Sequence, residues 1–347
     1  MRYDEIAKTD SEANPKAGGQ KMASKTVERI SPLQGKTAMG RFVASFKKQW
    51  VFYTMMIPGL FLIILLCYVP MPGVVLAFKD YSPRDGIFGS KWMKPWYKNF
   101  EFFFKSDAAR TITFNTILYN LLQGVLVTVC AVALAIMLFE IKNKFISATY
   151  KGAILLPTFL SWIVIQYIVF ALLSVDRGIV NQAIVAGGGE AVQWYSEPFY
   201  WRFILPFAYL WKNVGYYSVF YVASIAGIST DYYEAAQLDG ASKWQQIKHI
   251  TLPLLRPTII ILSLLWVGKI FSGGFGDWNG FMNMTNNSGA LYPASDVIDT
   301  YVFRALKQLG DYGMSTAVGL YQSVVGFAMV IASNAVIRKL DPDSAMF

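Results

Sequence analysis

Long apolar runs recur along the chain, separated by polar segments, and this pattern sets the fold class. A helix needs about 20 mostly apolar residues to cross a bilayer. Six runs reach or approach that length, at roughly 52–78, 114–138, 152–173, 204–228, 257–275 and 316–337. We therefore expect an all-α integral membrane protein with six transmembrane helices.

Two of these runs contain helix breakers. Pro70 and Pro72 predict a kink, or the end of regular helix, late in the first run. The fifth offers fifteen good residues from Pro257 to Phe271 before a Ser-Gly-Gly sequence interrupts it. A short, glycine-broken span with an ionisable Lys269 is typical of a substrate pathway, but snorkelling of Lys269 to the outer interface is an equally good interpretation.

Composition supports a membrane protein and argues against redox or metal chemistry. Hydrophobic residues make up 54% of the chain, charged residues only 15%, and the mean hydropathy is +0.37. Soluble domains carry about 25% charged residues. Cys67 and Cys130 lie in apolar runs without CxxC spacing, and His249 is the single histidine. We expect packed thiols and no metal.

Charge gives a partial answer on orientation. Ten of the 31 Lys and Arg residues fall in the first 49 positions, directly before the first run. Basic residues there favour the cytoplasmic face, and an even number of spans then places both termini in the cytoplasm. The loops do not strengthen this prediction, because seven basic residues lie in the 79–113 loop on the opposite side.

The same pattern suggests a division of the chain. We expect a largely disordered basic tail at 1–49, followed by a first transmembrane helix and its outer loop at 50–110. A five-helix core at 111–338 contains a cytoplasmic loop at 229–256. A C-terminal cytoplasmic tail occupies 339–347.

The loop between the fourth and fifth runs predicts two short helices. Asp231 and Glu234 are spaced as a capping box for the first helix. Asp239 and Gly240 supply its stop, because glycine adopts a left-handed helix end without strain. A second helix should begin at about Ser242, with an apolar side formed by Trp244, Ile247 and Ile250, and Pro253 and Pro257 should punctuate the entry into the fifth run.

This loop has two interpretations from its residues alone. Ala235 and Ala236 leave a small helix face that a cleft of another protein can approach, while Glu234 and Asp239 place charges beside it. The second helix can lie along the membrane with its apolar side inward. A knob for a partner protein and a plain amphipathic connection are equally compatible with these features.

The spacing of the loop also carries a family resemblance. Glu234-Ala235-Ala236, then Gly240, then nine residues before Ile250-Thr251-Leu252-Pro253, resembles the signature of permeases of binding-protein-dependent ABC importers. The resemblance implies a type I importer permease fold in the bacterial cell (inner) membrane. It also implies a second homologous permease, two ATP-binding subunits and an extracellular or periplasmic solute-binding protein.

The resemblance gives a coupling role, against the ATPase, to residues of this loop: Glu234, Ala235, Ala236, Asp239, Gly240, Ile250, Leu252 and Pro253.

Other stretches resemble the polysaccharide and complex-oligosaccharide branch of the maltose-type sugar permeases, over about residues 50–338. They are Ala77-Phe78-Lys79-Asp80-Tyr81, Asn115-Thr116, Leu155-Leu156-Pro157 with Ser161-Trp162, and Asp296-Val297-Ile298-Asp299-Thr300-Tyr301. The 271–291 stretch departs from the family pattern by being more polar and richer in glycine. Its role in the outer gate and in substrate choice is therefore open.

Nucleotide hydrolysis is not expected in this chain. Gly35-Lys36-Thr37 approaches a P-loop, but Ile30 stands where the first glycine is needed. The resemblance therefore places ATP and Mg²⁺ at the partner ATPase, and this chain is expected to be a transport subunit that binds no cofactor.

A saccharide path needs aromatic faces and hydrogen-bonding groups. The candidates in the fourth, fifth and sixth runs are Trp211, Lys212, Asn213, Tyr216, Trp266, Lys269, Tyr321 and Gln322. Aromatic packing and interface belts explain the same residues. Lys212 and Lys269 favour an acidic saccharide, and a neutral one stays open.

Two other classes of membrane protein remain to be weighed. A membrane-embedded enzyme would need catalytic acids, and Asp341-Pro342-Asp343 is the one suggestive cluster, although such a sequence is usually just a solvated end. An ion-coupled secondary transporter normally has acidic residues inside its helices, and the six runs contain none.

Overall fold

The computed structural model describes residues 49–271 and 278–340, apart from the side chains of Phe102, Trp278 and Leu340. The chain divides into two compact units, Met1–Pro72 and Gly73–Phe347. Most of both predicted tails lies outside the described residues. The same is true of Gly35-Lys36-Thr37 and Asp341-Pro342-Asp343.

In the first unit, helix α1 (Trp50–Ile63) has no buried residue. It continues into a π turn at Ile64–Tyr68. A 3₁₀ segment, Met71–Phe78, follows. Within the stretch Trp50–Phe78, an 18-residue window has a mean hydropathy of 2.5, which is typical of a helix surrounded by lipid.

In the described part of the second unit, helices and loops are joined by one small hairpin, in which β1 (Lys79–Asp80) pairs antiparallel with β2 (Lys91–Trp92). Its helices are, in chain order, α2 (Gly86–Gly89), α3 (Lys98–Lys105), α4 (Asp107–Glu140), α5 (Lys144–Phe159), α6 (Trp162–Leu173), α7 (Ile179–Ala186), α8 (Pro198–Ala226), α9 (Thr230–Leu238), α10 (Lys243–Gln246), α11 (Leu252–Val267), α12 (Trp278–Met284), α13 (Tyr292–Ser295), α14 (Ile298–Arg304) and α15 (Tyr312–Leu340).

Four stretches of the described chain are long and apolar enough to cross a membrane: Trp50–Phe78, Asp107–Glu140, Lys243–Val267 and Tyr312–Lys339. The bent pair α5 and α6 raises the number to five if it forms one span. Helix α8 has 29 residues, about 44 Å, which is long enough to cross a membrane. It is not among these stretches because Lys212, Asn213 and its tyrosines lower its mean hydropathy. The predicted count of six is thus not confirmed as such, although each predicted run is largely helical.

The predicted continuous span at 152–173 is wrong in one respect, since the chain bends by 94° between α5 and α6. Leu160 is extended, and the Ser161 hydroxyl caps α6 by accepting from Val164 N at 3.3 Å. Pro157 lies in the last turn of α5. Because proline lacks an N–H, the last turn of α5 lacks one hydrogen bond just before the bend.

Pro253 lies in the first turn of α11, at the predicted entry into the fifth run, but the prolines do not interrupt the helix. The helix runs without interruption from Lys243 to Val267, through α10, a π turn at Ile247–Thr251, and α11. The π turn lies directly before Pro253, where the missing N–H leaves the regular bonding pattern incomplete. The second helix of the loop and the fifth span are therefore one rod.

Small residues let the long helices of the second unit approach closely. A Cβ on Gly215 of α8 would lie 2.1 Å from the carbonyl oxygen of Ile154 in α5. A Cβ on Gly124 of α4 would lie 2.1 Å from the ring of Trp266 in α11. Side chains from α4, α6, α8 and α12 complete a core around the fully buried Trp201.

Candidate functional site

We call Ser229–Pro253 the coupling segment, after the role that its resemblance implies. The cap of helix α9 lies two residues earlier than predicted, because the Ser229 hydroxyl is the cap and accepts from Asp231 N at 3.3 Å. The expectation that Asp231 and Glu234 cap the helix is therefore wrong. The stop is where it was predicted, with α9 ending at Leu238 and Gly240 at φ +78°.

The second helix of the coupling segment starts at Lys243, as expected, and its cap is reciprocal. Ser242 N donates to Gln245 Oε1 at 2.7 Å, and Gln245 N donates to Ser242 Oγ at 3.4 Å. The predicted apolar side is uneven, since Trp244 is 70% exposed while Ile247 and Ile250 are half-buried.

The coupling segment presents groups that find no partner in the described parts of the chain. Glu234, Ala235 and Asp239 are exposed, and within the described residues neither carboxylate forms an ion pair. Leu238 is 91% exposed. A charged and apolar surface of this kind is available to a second protein.

Three contacts fix the coupling segment to the long helices. The Tyr233 hydroxyl lies 3.0 Å from Thr251 Oγ1, which joins α9 to the rod. The Tyr233 ring also packs on Phe139 of α4, with centroids 6.3 Å apart. Lys243 Nζ lies 3.0 Å from Glu140 Oε2 at the end of α4. The coupling segment is therefore bonded to the rod and packed against the end of α4.

Lys212, predicted in the substrate path, is buried and bonded to backbone. Its ammonium donates to the carbonyl oxygens of Thr158 at 2.9 Å and Leu160 at 2.8 Å. It also lies 5.5 Å from the centroid of the Trp162 ring. These carbonyls are freed by the bend between α5 and α6, and Lys212 stabilises the bend through them.

The other path candidates are dispersed. Gln322 is buried and donates to the carbonyl oxygen of Phe271, Trp266 packs on Gly124, and the Asn213 amide donates to Tyr209 O at 3.0 Å. Trp211, Tyr216 and Lys269 are exposed. The structure does not gather the eight candidates around one cavity.

Phe281, Met284 and Leu291 of the unusual 271–291 stretch pack into the core. Gly280 of α12 allows close contact with Trp162, because a Cβ there would lie 2.8 Å from the ring. Asn286 and Asn287 adopt left-handed backbone at φ 52° and 50°, a conformation that asparagine tolerates. Gln166 Nε2 donates to Asn286 Oδ1 at 2.5 Å.

Residues 291–304, which we call the outer segment, are bonded to the first half of α4. The Asn115 amide donates to the carbonyl oxygens of Pro293 at 3.2 Å and Asp296 at 3.0 Å. Ile298 N donates to Thr116 Oγ1 at 2.9 Å, and the Tyr119 hydroxyl donates to Ala294 O at 2.6 Å. The motifs at 115–116 and 296–301 thus form one contact.

A buried ion pair lies inside the outer segment. Arg304 Nη2 is 2.5 Å from Asp296 Oδ2, with side chains 12% and 9% exposed. The Thr300 hydroxyl donates to the other carboxylate oxygen at 2.6 Å. Burial raises the pKa of Tyr301 in α14, and the charge of Asp296 raises it further, so the phenol stays neutral.

A cleft of about 820 Å³ lies beside the first half of α4, and we call it the α4 cleft. Its described lining is Phe103, Phe104, Ser106, Ala109, Arg110, Thr111, Thr113, Phe114, Asn115, Ile117, Leu118, Tyr119, Leu122, Arg202, Pro293 and Tyr321. Of the eight path candidates only Tyr321 lines it. Arg110 and Arg202 were missed, although an arginine at the start of an apolar helix is a detectable signal.

Comparisons with known proteins place the chain in a family. Residues 129–342 match the family described as binding-protein-dependent transport system inner membrane component. Protein LplB of Bacillus subtilis (strain 168) is 33% identical over 302 residues, which cover 87% of this chain and 93% of LplB. The polygalacturonan/rhamnogalacturonan transport system permease protein YteP, from the same organism, is 32% identical over 299 residues, 86% and 91% of the two chains.

A solved structure has the same fold over most of the chain. It is a crystal structure of a bacterial ABC transporter involved in the import of the acidic polysaccharide alginate, with a TM-score of 0.76, 29% identity and coverage of 87% of this chain and 99% of that one. The predicted fold class is confirmed. The chain is an integral membrane permease that belongs to the family of inner membrane components of binding-protein-dependent transport systems.

Proposed function

We propose that this chain is the permease subunit of an ATP-driven ABC importer for an oligosaccharide or polysaccharide fragment. The observation that carries the proposal is the coupling segment, whose exposed helix α9 is fixed to a rod that continues into the membrane. The rod from Lys243 to Val267 has 25 residues, about 37 Å. A push on α9 at one end therefore reaches the middle of the bundle.

The proposed partners follow from the exposed groups and from the family. A separate ATPase binds ATP and Mg²⁺ and receives α9, with Glu234, Ala235, Ala236 and Gly240 in its cleft. Two such ATPase subunits, a second homologous permease and an extracellular or periplasmic solute-binding protein complete the importer. Both termini of this chain lie in the cytoplasm, on the side of the coupling segment.

The proposed saccharide class is supported by the relatives. The name of YteP specifies polygalacturonan and rhamnogalacturonan transport. A second structure of the alginate transporter is described in complex with an alginate pentasaccharide-bound periplasmic protein, at a TM-score of 0.75 and 29% identity. The branch motifs of the sequence agree with this class.

The proposal is tested by changing Gly240 to valine in the importer purified through a tag on this chain. Gly240 adopts φ +78°, and a Cβ added there would have no neighbour within 4 Å, so the change acts through backbone strain of about 1–2 kcal/mol. We expect normal membrane insertion and retained ATPase subunits, but loss of substrate uptake per ATP hydrolysed.

Gly310→Val is the matched control, because Gly310 has φ +67° and equally open surroundings but lies outside the coupling segment. Its uptake per ATP should stay at the level of the unchanged importer. Normal coupling in Gly240→Val, or purification without any ATPase, would count against the proposed function.

A further inference from the structure

The α4 cleft has the features of a ligand site. Of the eight residues predicted to line a substrate path, only Tyr321 lines this cleft. Its volume of about 820 Å³ falls within the range of about 300–1,000 Å³ that is usual for small-molecule sites. Arg110 approaches it from the first turn of α4, and Arg202 from the first turns of α8. Two separate helices thus direct a guanidinium to the same concave surface.

The charge of the cleft is not balanced by its own lining. Of the described residues that line it, none is acidic. Arg110 and Arg202 are both exposed, and within the described residues neither forms an ion pair. The nearby Glu101 is already paired with Lys105 at 2.5 Å. A ligand that brings negative charge therefore meets two unmatched cations.

The rest of the surface offers aromatic faces. The rings of Phe103 and Tyr321 have centroids 4.6 Å apart, and Phe104 stands edge-on to Tyr321 at 5.8 Å. Phe114 is 63% exposed and also lines the cleft. The negative face of an aromatic ring attracts partially positive C–H groups, which pyranose rings present on their flat faces.

The position of the cleft is suited to a ligand that is about to be transported. Arg110 lies at one end of α4, while Glu140, which holds the coupling segment, is the last residue of the same helix. The 30 intervening steps correspond to about 45 Å. The cleft therefore lies at the end of the bundle remote from the ATPase-binding surface.

We infer that the α4 cleft binds an anionic saccharide, with Arg110 and Arg202 pairing uronate carboxylates and the Phe103, Phe104, Phe114 and Tyr321 rings packing against the sugar rings. Guanidinium binds carboxylate through two parallel hydrogen bonds, which a neutral hydroxymethyl group cannot reproduce. This inference rests on the proposed function as a saccharide permease. It moves the anionic preference from Lys212, which is bonded to backbone, to this arginine pair.

The test measures binding of trigalacturonate and of its neutral trimethyl ester to the importer in nanodiscs of zwitterionic lipid, by calorimetry. We expect trigalacturonate to bind at least about tenfold more tightly than the ester. This is the gain in affinity expected from one charge-assisted hydrogen-bonded pair that the ester cannot form. Arg110→Gln and Arg202→Gln should each weaken trigalacturonate binding by about tenfold and change ester binding by less than about threefold.

Arg177→Gln is the matched control, because Arg177 is exposed but does not line the cleft. It should leave the affinity for both compounds unchanged. The inference would be overturned if the unchanged importer bound the two compounds with equal affinity or did not bind trigalacturonate. It would also be overturned if the arginine variants lost affinity for both compounds equally.

An anionic lipid headgroup is the main alternative occupant. Anionic lipid in the nanodiscs would then abolish trigalacturonate binding to the unchanged importer, and the arginine variants would bind less lipid while their affinity for sugar stayed the same. With that result the cleft is a lipid site and the inference fails. The proposed function is judged separately by uptake per ATP in the Gly240 variant. Coupled uptake of a neutral oligosaccharide without trigalacturonate binding would overturn only this inference.

Discussion

The coupling segment and the outer segment are both rich in charged and hydroxyl residues, yet they use them in opposite ways. In the coupling segment Glu234 and Asp239 are exposed. In the outer segment Asp296 is 9% exposed and forms an ion pair with Arg304 at 2.5 Å. Both segments are fixed to α4, the outer one near its start and the coupling one at its end.

The difference separates two uses of polarity in an apolar protein. Charges that are paired and buried within the chain hold the fold, and their removal should lower stability. Charges that remain exposed without a partner are available to another molecule, and their removal should change function instead. On this criterion Lys212 belongs with the outer segment, while Arg110 and Arg202 belong with the coupling segment.

The largest effect on stability is expected from Asp296→Ala, which leaves Arg304 buried without its partner. Loss of one member of a buried pair costs about 3–5 kcal/mol. Thermal unfolding of the purified protein in detergent should show a large drop in Tm. Asp239→Ala, the matched change in the coupling segment, should leave Tm unchanged, and equal values for the two variants would remove the distinction between the segments.

A smaller loss is expected from Lys212→Met. The change leaves the carbonyl groups of Thr158 and Leu160 without their donor. Because both carbonyl groups are only partly buried, the cost is about 1 kcal/mol for each. Tm should fall while the preference between anionic and neutral saccharide is retained. A stable variant with altered preference would instead return Lys212 to the substrate path.

Tyr233→Phe should have a modest effect, because it removes one hydrogen bond to Thr251, worth about 0.5–1.5 kcal/mol. We expect less uptake per ATP with little change in Tm, since the bond joins α9 to the rod. Thr251→Val and the double variant complete a double-mutant cycle. Additive losses of coupling would show that the two hydroxyls do not act together.

The smallest effect is expected from Lys243→Gln, because the pair with Glu140 is 59% and 39% exposed. Surface pairs of this kind contribute about 0.2–1 kcal/mol, and salt screens them. Any change in Tm should disappear in high salt. A large loss that persists in salt would mean that the pair is more than a surface contact.

Much of the fold could be predicted from the sequence, since apolar run length is a direct consequence of bilayer thickness. The bend between α5 and α6 could not, because Leu155-Leu156-Pro157 and Trp162 read as one apolar run. The bend is stabilised by the distant Lys212, which bonds the freed carbonyls. The unbroken rod was missed for a similar reason, since a π turn before Pro253 leaves no signal in the sequence.

The candidate site was predictable where a local motif defines it. The start of α10 at Lys243 and the stop at Gly240 follow from capping chemistry. The α4 cleft was not predicted, because Arg110, Arg202 and Tyr321 come from three helices that are distant in sequence. Which side chains share a cavity depends on packing, and periodicity does not specify it.

Cross-linking of the coupling segment to an ATPase subunit tests the central claim most directly. On a background without Cys67 and Cys130, a photo-cross-linker is attached to Leu238→Cys or to Phe88→Cys, at positions that are 91% and 81% exposed. In the purified importer we predict that the probe at 238 cross-links to the ATPase and that the probe at 88 does not. A probe at 88 that captures the ATPase, with none captured from 238, would contradict the account.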